Sequence, residues 1–308
     1  MNWLITGGSG FVGTYLIKEL KLRPEKVVVY DRKKQTVPSD SENIVWEQGD
    51  VTNKDELLKV VEKHGIDGII HLAFILLSET NKSPYHSVRV NCNGTLNVFE
   101  VAAQKGIKKV IWTSSVQAYG SEQFYGEKVW VDEEKIKKPE TLYGACKLFC
   151  ENIANYYREN MKLNIVGLRF STVYGYGRLS GSNTYLCDLI EKAAGGDDVV
   201  FPLGNHLNNL IYVKDAARAI LKCMDMPSFI SPIYNICADK VYTGAEIYAV
   251  VQELLPAVKV SYNPGKAANK ATPYTSPARA EKELGFIHQY PLKTAIKDFI
   301  EICKSKPQ

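Results

Sequence analysis

A tyrosine and a lysine four residues apart can share one helix face and act on the same proton. Tyr143 and Lys147 have this spacing, as do the pairs Tyr30–Lys34 and Tyr262–Lys266. Tyr143 differs because it begins a long helical pattern after a strand that ends in hydroxyl residues. A phenol with a pKa near 10 needs about 4 kcal/mol of stabilisation to ionise at pH 7. We expect the ammonium of Lys147 to contribute to it.

The hydroxyl residues Thr113, Ser114 and Ser115 end a predicted strand ahead of that helix. In an open parallel sheet, the carboxyl ends of the strands face the ligand crevice, so these hydroxyls could bond a substrate oxygen. The alternative is that they only close the strand into a turn.

A glycine-rich turn follows the first predicted strand and opens the first predicted helix. The pattern Gly7-x-x-Gly10-x-x-Gly13, overlapped by Gly8-x-Gly10-x-x-Gly13, is typical of dinucleotide binding. Its glycines permit a tight turn and a close approach of the backbone to pyrophosphate, which the helix N-terminus attracts. The alternative is a glycine turn without a ligand. We predict cofactor contacts from Gly7, Gly10, Phe11, Val12 and Gly13.

The second predicted strand ends at Asp31, where an acid can accept hydrogen bonds from the adenosine ribose. Asp31 favours NAD, since a carboxylate repels the 2′-phosphate of NADP. Arg32 and Lys33 act in the opposite direction, because a guanidinium can pair with that phosphate. Asp50 and Val51 follow the third strand and could flank the adenine, although Asp50 could also serve the start of the next helix.

Short apolar segments alternate with helical ones along the chain. The candidate strands are residues 2–6, 26–31, 43–48, 67–71, 108–114 and 164–169, and the helices between them include 13–21, 54–64, 90–105 and 143–160. Nearly continuous apolar strands are typical of a parallel sheet covered on both faces. The sequence predicts an α/β fold, a Rossmann doubly wound parallel sheet with a smaller C-terminal substrate-binding region.

The alternation of predicted strands and helices becomes less regular after about residue 170. We therefore predict an NAD-binding domain over residues 1–170, with segments returning to it near 207–226 and 233–238. Residues 171–308 are predicted to be mostly substrate-binding.

Composition excludes several classes of protein. With 38 Lys and Arg against 34 Asp and Glu, the net charge of +4 gives no basic surface of the kind that binds nucleic acid. The longest near-apolar run, 69–77, is too short to span a membrane, and no signal peptide is evident, so we expect a cytoplasmic protein. The seven cysteines are scattered, so neither disulfides nor a metal site is expected.

Taken together, the motifs resemble the extended short-chain dehydrogenases/reductases, specifically the NAD-dependent epimerase/dehydratase family. The resemblance rests on the glycine turn, Asp31, His71-Leu72-Ala73, Val90-Asn91-x-x-Gly94-Thr95, Thr113-Ser114-Ser115-x-x-x-Tyr119-Gly120, Tyr143-x-x-x-Lys147 and Arg169-x-x-x-Val173-Tyr174-Gly175, in family order.

The resemblance implies a role for each matching residue. Tyr143 would be the general acid/base, Lys147 would bind the nicotinamide ribose, and Ser115 would hydrogen-bond the substrate oxygen. Asn91 would hold the backbone of the site, although helix packing explains it equally well. Further cofactor contacts are implied for Leu72, Ala73, Phe74, Asn91, Thr113, Tyr143, Lys147, Phe170 and Val173. A homodimer through helices 90–105 and 143–160 is also implied.

Three positions depart from the nucleotide-sugar members of that family. Thr172, Asn208 and Asn263 stand where those members carry an asparagine and two arginines, and guanidiniums bind diphosphate in a two-pronged way. Cations that could compensate, although each is typical of a solvated surface, are Arg178, Lys214, Lys266 and Lys270.

These departures favour a dehydrogenase or reductase of a small hydroxy substrate, such as a sugar, a sugar acid or an amino alcohol. A nucleotide-sugar 4-epimerase or dehydratase with tightly bound NAD is the first alternative. A non-catalytic dinucleotide sensor is the second, and an intact Ser115, Tyr143 and Lys147 set disfavours it.

Overall fold

The computed structural model describes residues 1–33, 41–126, 128–181, 184–265 and 273–305. The strands are β1 Asn2–Thr6, β2 Lys26–Asp31, β3 Ile44–Gln48, β4 Gly68–His71, β5 Lys109–Ser115, β6 Trp130–Val131, β7 Ile165–Phe170, β8 Thr172–Tyr174, β9 Val199–Phe201, β10 Leu207–Tyr212, β11 Ile233–Ile236, β12 Val241–Thr243, β13 Val260–Tyr262 and β14 Tyr274–Thr275.

Helices follow most of these strands. They are α1 Phe11–Leu20, α2 Lys54–His64, α3 Leu77–Lys82, α4 Pro84–Val88, α5 Thr95–Gln104, α6 Glu122–Tyr125, α7 Leu142–Asn160, α8 Thr184–Ala194, α9 Val213–Asp225, α10 Gly244–Leu254, α11 Ala278–Leu284 and α12 Leu292–Ser305. A π-helical turn, Arg89–Gly94, runs directly into α5.

The central sheet is seven-stranded and parallel, in the order β11-β7-β5-β4-β1-β2-β3. Its strands carry apolar residues on both faces because helices cover both faces. One core packs α1, α9 and α12 against the sheet, and a second packs α2, α5 and α7 against the opposite face. The predicted doubly wound α/β fold is confirmed.

Strand order reverses between β1 and β4, which are neighbours although α1, β2, β3 and α2 separate them in the chain. The loops that leave these two strands diverge to opposite sides and open a crevice at their carboxyl ends. This position is where an open α/β sheet binds its ligand.

The C-terminal half builds smaller sheets beside the main one. β10 pairs with β8 in parallel and with β12 in antiparallel, and β13 pairs with β9. Of the segments predicted to return to the first domain, β11 joins the main sheet beside β7. The strand β10 does not, because its pairing partners lie in the three-stranded sheet, whereas α9 packs on α1. The domain boundary near residue 170 stays a prediction.

Within the described ranges, no helix is both long and apolar enough to cross a membrane.

Candidate active site

A cavity of about 790 Å³ lies beyond the carboxyl ends of β1, β4 and β5. Its walls come from the turn after β1, the loop after β4, the end of β5 and the first turns of α7. Such a volume suits a cofactor together with a small substrate.

The glycine turn forms one end of this cavity. Gly7 has φ +72°, and a Cβ there would lie 2.5 Å from the backbone nitrogen of Ala73, so a side chain would collide with the next loop. Gly10, at the N-cap of α1, has no side chain that could bond the N–H groups of the first turn. These are the groups that bind pyrophosphate at a helix N-terminus, and the cradle therefore fits a dinucleotide.

Asp31 lies at the rim of the cavity beyond that turn. Its carboxylate accepts hydrogen bonds from the backbone N–H of Ser9, at 3.0 Å, and of Lys33, at 3.2 Å. The guanidinium of Arg32 lies 3.5 Å from the ring of His86 on the same rim. The acid Asp31 and the cations Arg32 and Lys33 therefore all border the end of the cavity where the sequence predicts the adenosine ribose to bind.

The loop after β4 forms the wall beside the glycine turn. Leu72, Ala73 and Phe74 contribute to the cavity, as do Asp50 and Val51 from the third strand's loop. The strand β4 ends at His71, as predicted, and the residues that follow it line the crevice.

Asn91 fixes that loop from behind rather than lining the cavity. Its side-chain oxygen accepts from the Ile75 N–H at 2.7 Å, and its amide donates to the Ile75 carbonyl at 3.0 Å. Asn91 is not among the residues that line the cavity, and both of its polar groups bond the Ile75 backbone, so its predicted contact with the cofactor stays a prediction. The predicted role in holding the site's backbone matches this geometry.

Two local features bring Tyr143 to Ser115. The Thr141 hydroxyl caps α7 by accepting from the Gly144 N–H at 3.0 Å, which fixes the first turn. Gly144 lets that turn approach the chain after β5, because a Cβ there would lie only 2.3 Å from the Gln117 carbonyl oxygen. Ser115 and Tyr143 consequently border the same part of the cavity.

The phenol of Tyr143 is buried, and burial raises its pKa to about 12. Its contact with the Ser115 hydroxyl and the positive charge of Arg178 both act to lower that pKa. We expected Lys147 to be the cation that lowers it. In the structure Lys147 donates to the Thr113 carbonyl and lies over the Phe74 ring, and its ammonium is 5.6 Å from the centre of the Tyr143 ring. Arg178, which was not expected to act on the phenol, also places positive charge near it.

Lys147 is almost completely buried, and burial lowers its pKa to about 7. Its ammonium donates a hydrogen bond of 2.5 Å to the Thr113 carbonyl at the end of β5. The side chain thus reaches from α7 to the strand end that borders the cavity.

A buried polar network fastens β5 to α7 underneath the site. Arg169 donates to both carboxylate oxygens of Glu151, at 2.7 and 2.6 Å, and the Ser114 hydroxyl donates to the same carboxylate at 2.6 Å. Arg169 also donates to the Tyr119 hydroxyl at 2.6 Å. The network joins Ser114, beside Ser115, to the helix that carries Tyr143.

Except for Asn91, every residue predicted to bind the cofactor or take part in catalysis lies on the cavity wall. Ser171 and Arg178 also lie there. Ser171 was not predicted, and Arg178 was considered only as a cation that could compensate for the missing arginines. Arg178 is partly buried in the wall rather than solvated at the surface, because the loop after β8 folds over the crevice. Burial lowers the pKa of its guanidinium.

The positions of the missing arginines are filled by polar groups with other partners. The Asn208 amide donates to the His206 carbonyl at 2.9 Å and to the Tyr242 carbonyl at 3.4 Å. Of the cations that could compensate, Lys214 pairs with Asp298 at 2.6 Å, and Lys266 and Lys270 lie outside the described residues.

Comparison with known proteins gives a consistent result. Residues 3–237 match the NAD dependent epimerase/dehydratase family. The chain is 27% identical over 339 residues to a bifunctional UDP-glucose 4-epimerase and UDP-xylose 4-epimerase of Pisum sativum, covering 99% of this chain and 96% of the relative. It is also similar to two solved structures. A partial consensus L-threonine 3-dehydrogenase is 26% identical with a TM-score of 0.90, covering 99% of this chain and 100% of that one. A GalE-like L-threonine dehydrogenase from Cupriavidus necator, in its holo form, is 26% identical with a TM-score of 0.87, covering 98% and 99%.

Proposed function

The chain belongs to the NAD-dependent epimerase/dehydratase family, and on that premise we propose that it is an NAD-dependent oxidoreductase. It transfers hydride at a secondary alcohol or carbonyl of a small hydroxy substrate, such as a sugar, a sugar acid or an amino alcohol. The observation that carries the proposal is the meeting of Ser115, Tyr143 and Lys147 on one wall of the cavity that the glycine turn closes at its other end.

Bound NAD supplies the hydride acceptor and a positively charged ring. Gly7, Gly10 and the first turn of α1 hold its pyrophosphate through backbone N–H groups. Asp31 receives the adenosine ribose, and its negative charge selects NAD over NADP. Residues that would flank the rest of the cofactor are Phe11, Val12, Gly13, Arg32, Asp50, Val51, Leu72, Ala73, Phe74, Thr113, Phe170 and Val173.

Tyr143 carries the proton that leaves or joins the substrate oxygen. With its pKa raised to about 12 by burial, the phenol is protonated at pH 7 and ready to donate to a carbonyl oxygen. Oxidation of an alcohol requires the phenolate, which the positive charge of Arg178 stabilises and which the charged ring of a bound NAD⁺ would stabilise further. Ser115 donates a second hydrogen bond to the same oxygen, and Lys147 holds the nicotinamide ribose.

A substrate panel tests this proposal. Purified protein is mixed with NAD⁺ and hydroxy acids, amino alcohols or free sugars, and NADH is followed at 340 nm. We expect Tyr143→Phe to lower the rate by at least about 10²-fold, the effect of losing a general acid/base. Full activity in this variant would contradict the assignment, and the absence of turnover with every compound would favour a dinucleotide sensor.

A nucleotide-sugar 4-epimerase is the second candidate, supported by the similarity of the chain to the UDP-glucose 4-epimerase of Pisum sativum. The amide at Asn208, already bonded to two backbone carbonyls, weakens it because amides do not clamp diphosphate as guanidiniums do. Interconversion of UDP-hexoses without net NADH would support the epimerase instead of the dehydrogenase.

We also propose that the protein is a homodimer. The outer faces of α5 and α7 expose the apolar side chains of Leu96 (37%), Phe149 (42%) and Tyr156 (56%). An exposed apolar face of this kind is typical of an interface. Light scattering after size-exclusion chromatography measures the mass, and Phe149→Asp should shift it from dimer to monomer.

A further inference from the structure

A small recess of about 60 Å³ opens beside the reactive phenol and shares part of its wall with the main cavity. Both spaces are bordered by Leu76, Ser115, Tyr143, Ser171 and Arg178. A group that enters the recess is therefore next to the carbon that Ser115 and Tyr143 would act on.

Ser171 supplies a buried hydroxyl to this recess. It lies between β7 and β8, where the chain leaves the main sheet, and its N–H donates to the Ile236 carbonyl at 3.1 Å. The side chain is 5% exposed, and its hydroxyl oxygen has no hydrogen-bond partner in the described part of the chain. Buried polar atoms are nearly always satisfied, so a hydroxyl at the wall of a cavity indicates a ligand atom that completes it.

Arg178 supplies positive charge to the same recess. Among the described residues that border it, Arg178 is the only one with a full charge at neutral pH. The other walls are apolar or neutral: Leu76, Leu77, Val116, Gln117, Thr172 and Gly181. A guanidinium with a neighbouring hydroxyl is a donor set that recognises an anion, and no acid is among the described residues that border the recess.

The size of the recess limits which anions it can hold. The recess, at about 60 Å³, is far smaller than the main cavity of about 790 Å³, so it suits a group of a few atoms. A carboxylate fits into that space, whereas a nucleoside diphosphate does not.

We propose that Arg178 and Ser171 form a subsite for a carboxylate that the substrate carries close to its reacting carbon. The substrates are then 2- or 3-hydroxy acids, which include hydroxy amino acids and sugar acids, rather than neutral sugars or amino alcohols. This inference rests on the proposed dehydrogenase function and narrows its substrate class.

Matched acids and amides test the subsite. With NAD⁺ present, kcat/KM is measured for lactate, 3-hydroxybutanoate and threonine and for the amide of each, which has the same shape without the charge. We expect at least one acid to exceed its amide about 10²-fold. Arg178→Gln should remove that preference mainly through KM, and Arg178→Lys should restore part of it. Ser171→Ala should raise KM for the acid about 10-fold.

Arg23→Gln is the matched control, because its guanidinium pairs with Glu25 and Asp225 away from the cavity. It should leave the preference for acids unchanged. Equal turnover of acids and amides by the wild type, or equal losses for both in Arg178→Gln, would overturn the subsite while leaving the dehydrogenase in place.

A binding measurement separates failure of the subsite from failure of the dehydrogenase. Saturation-transfer NMR with propanoate and propanamide, on the protein with NAD⁺, reports contact without turnover. We expect propanoate to bind to the wild type and not to Arg178→Gln. If no compound forms NADH but this difference is present, the dehydrogenase is wrong and the carboxylate subsite stands. Propanoate binding that is absent, or equal in both proteins, would overturn the subsite.

Discussion

The buried ammonium of Lys147 lies 3.2 Å from the centre of the Phe74 ring, and both residues border the cavity. Burial of this kind disfavours the charged form, and the pKa of Lys147 falls to about 7. The charge of the residue that we expect to hold the nicotinamide ribose therefore changes within the physiological pH range.

Cofactor affinity should accordingly depend on pH. The protonated fraction of Lys147 falls from roughly 90% at pH 6 to roughly 10% at pH 8 for a pKa of about 7. If the ammonium binds the ribose, affinity for NAD⁺ weakens as pH rises, approaching tenfold per pH unit above pH 7. Calorimetry at pH 6, 7 and 8 measures this. Lys147→Arg stays charged and should lose the dependence, while a flat wild-type profile would contradict the assignment.

Gly144 allows α7 to approach the turn after β5. Replacing it with alanine would improve helix propensity but would also create a steric clash, and these two effects on stability oppose each other. Alanine in a helix is normally favoured over glycine by about 1 kcal/mol. Here the new Cβ would lie 2.3 Å from the Gln117 carbonyl oxygen, which forces the first turn of α7 away. We expect Gly144→Ala to lower both the melting temperature and, by at least about 10-fold, the rate of NADH formation. A more stable variant with full activity would show that the close approach is unnecessary.

Much of the fold was predictable because the ends of strands and helices carry signals in the local sequence. Residues 2–6 and 26–31 form β1 and β2 with the predicted bounds, and residues 54–64 form α2. Asn53 caps that helix and Gly65 ends it in the left-handed conformation, so both of its ends carry ordinary signals.

Other parts depend on contacts between distant segments. The helix predicted over 90–105 begins as a π-helical turn, Arg89–Gly94. Residue propensities do not indicate a π-helical turn. In the sequence, Arg178 resembles an ordinary solvent-exposed cation. It comes close to Tyr143 only because the loop after β8 folds over the crevice. Ser171 carries no local signal either, since its hydroxyl matters only once Ser115 and Arg178 lie beside it.

The carboxylate of Glu151 neutralises the buried guanidinium of Arg169. Removing the charge of Glu151 should therefore lower the stability of the folded protein. Removing one partner of a buried pair leaves the other charge unpaired, and Arg169 is 1% exposed. We expect Glu151→Gln to lower the free energy of unfolding by about 3–5 kcal/mol, measured by urea denaturation. Glu253→Gln is the matched control, because its pair with Lys293 is exposed and should contribute at most about 1 kcal/mol. Equal losses in the two variants would contradict the role of burial.

His71 should make the protein sensitive to acid. The ring is 1% exposed, and its Nδ1 accepts a hydrogen bond from the Thr6 hydroxyl at 2.6 Å. The Thr95 hydroxyl donates to the Asn91 carbonyl, so it accepts the hydrogen bond that the Nε2–H of His71 donates. Burial, with a smaller effect from Lys147, lowers the pKa of His71 to about 3. The folded protein therefore keeps a neutral ring at pH 5, where the unfolded chain, with a pKa near 6.5, binds a proton.

Stability contributed by neutral His71 is present above pH 6.5 and is lost as pH falls from 6.5 towards 3, because the unfolded state gains protons that the folded state excludes. Between pH 7 and pH 5 the loss from this residue should be about 2 kcal/mol, at about 1.4 kcal/mol per pH unit below 6.5. Urea denaturation at pH 5, 6 and 7 measures it for the wild type, for His71→Asn and for His86→Gln, whose ring lies at the cavity rim. The pH dependence should shrink by that amount in His71→Asn alone. An unchanged slope in that variant would mean that another group, and not the histidine between Thr6 and Thr95, causes the acid sensitivity.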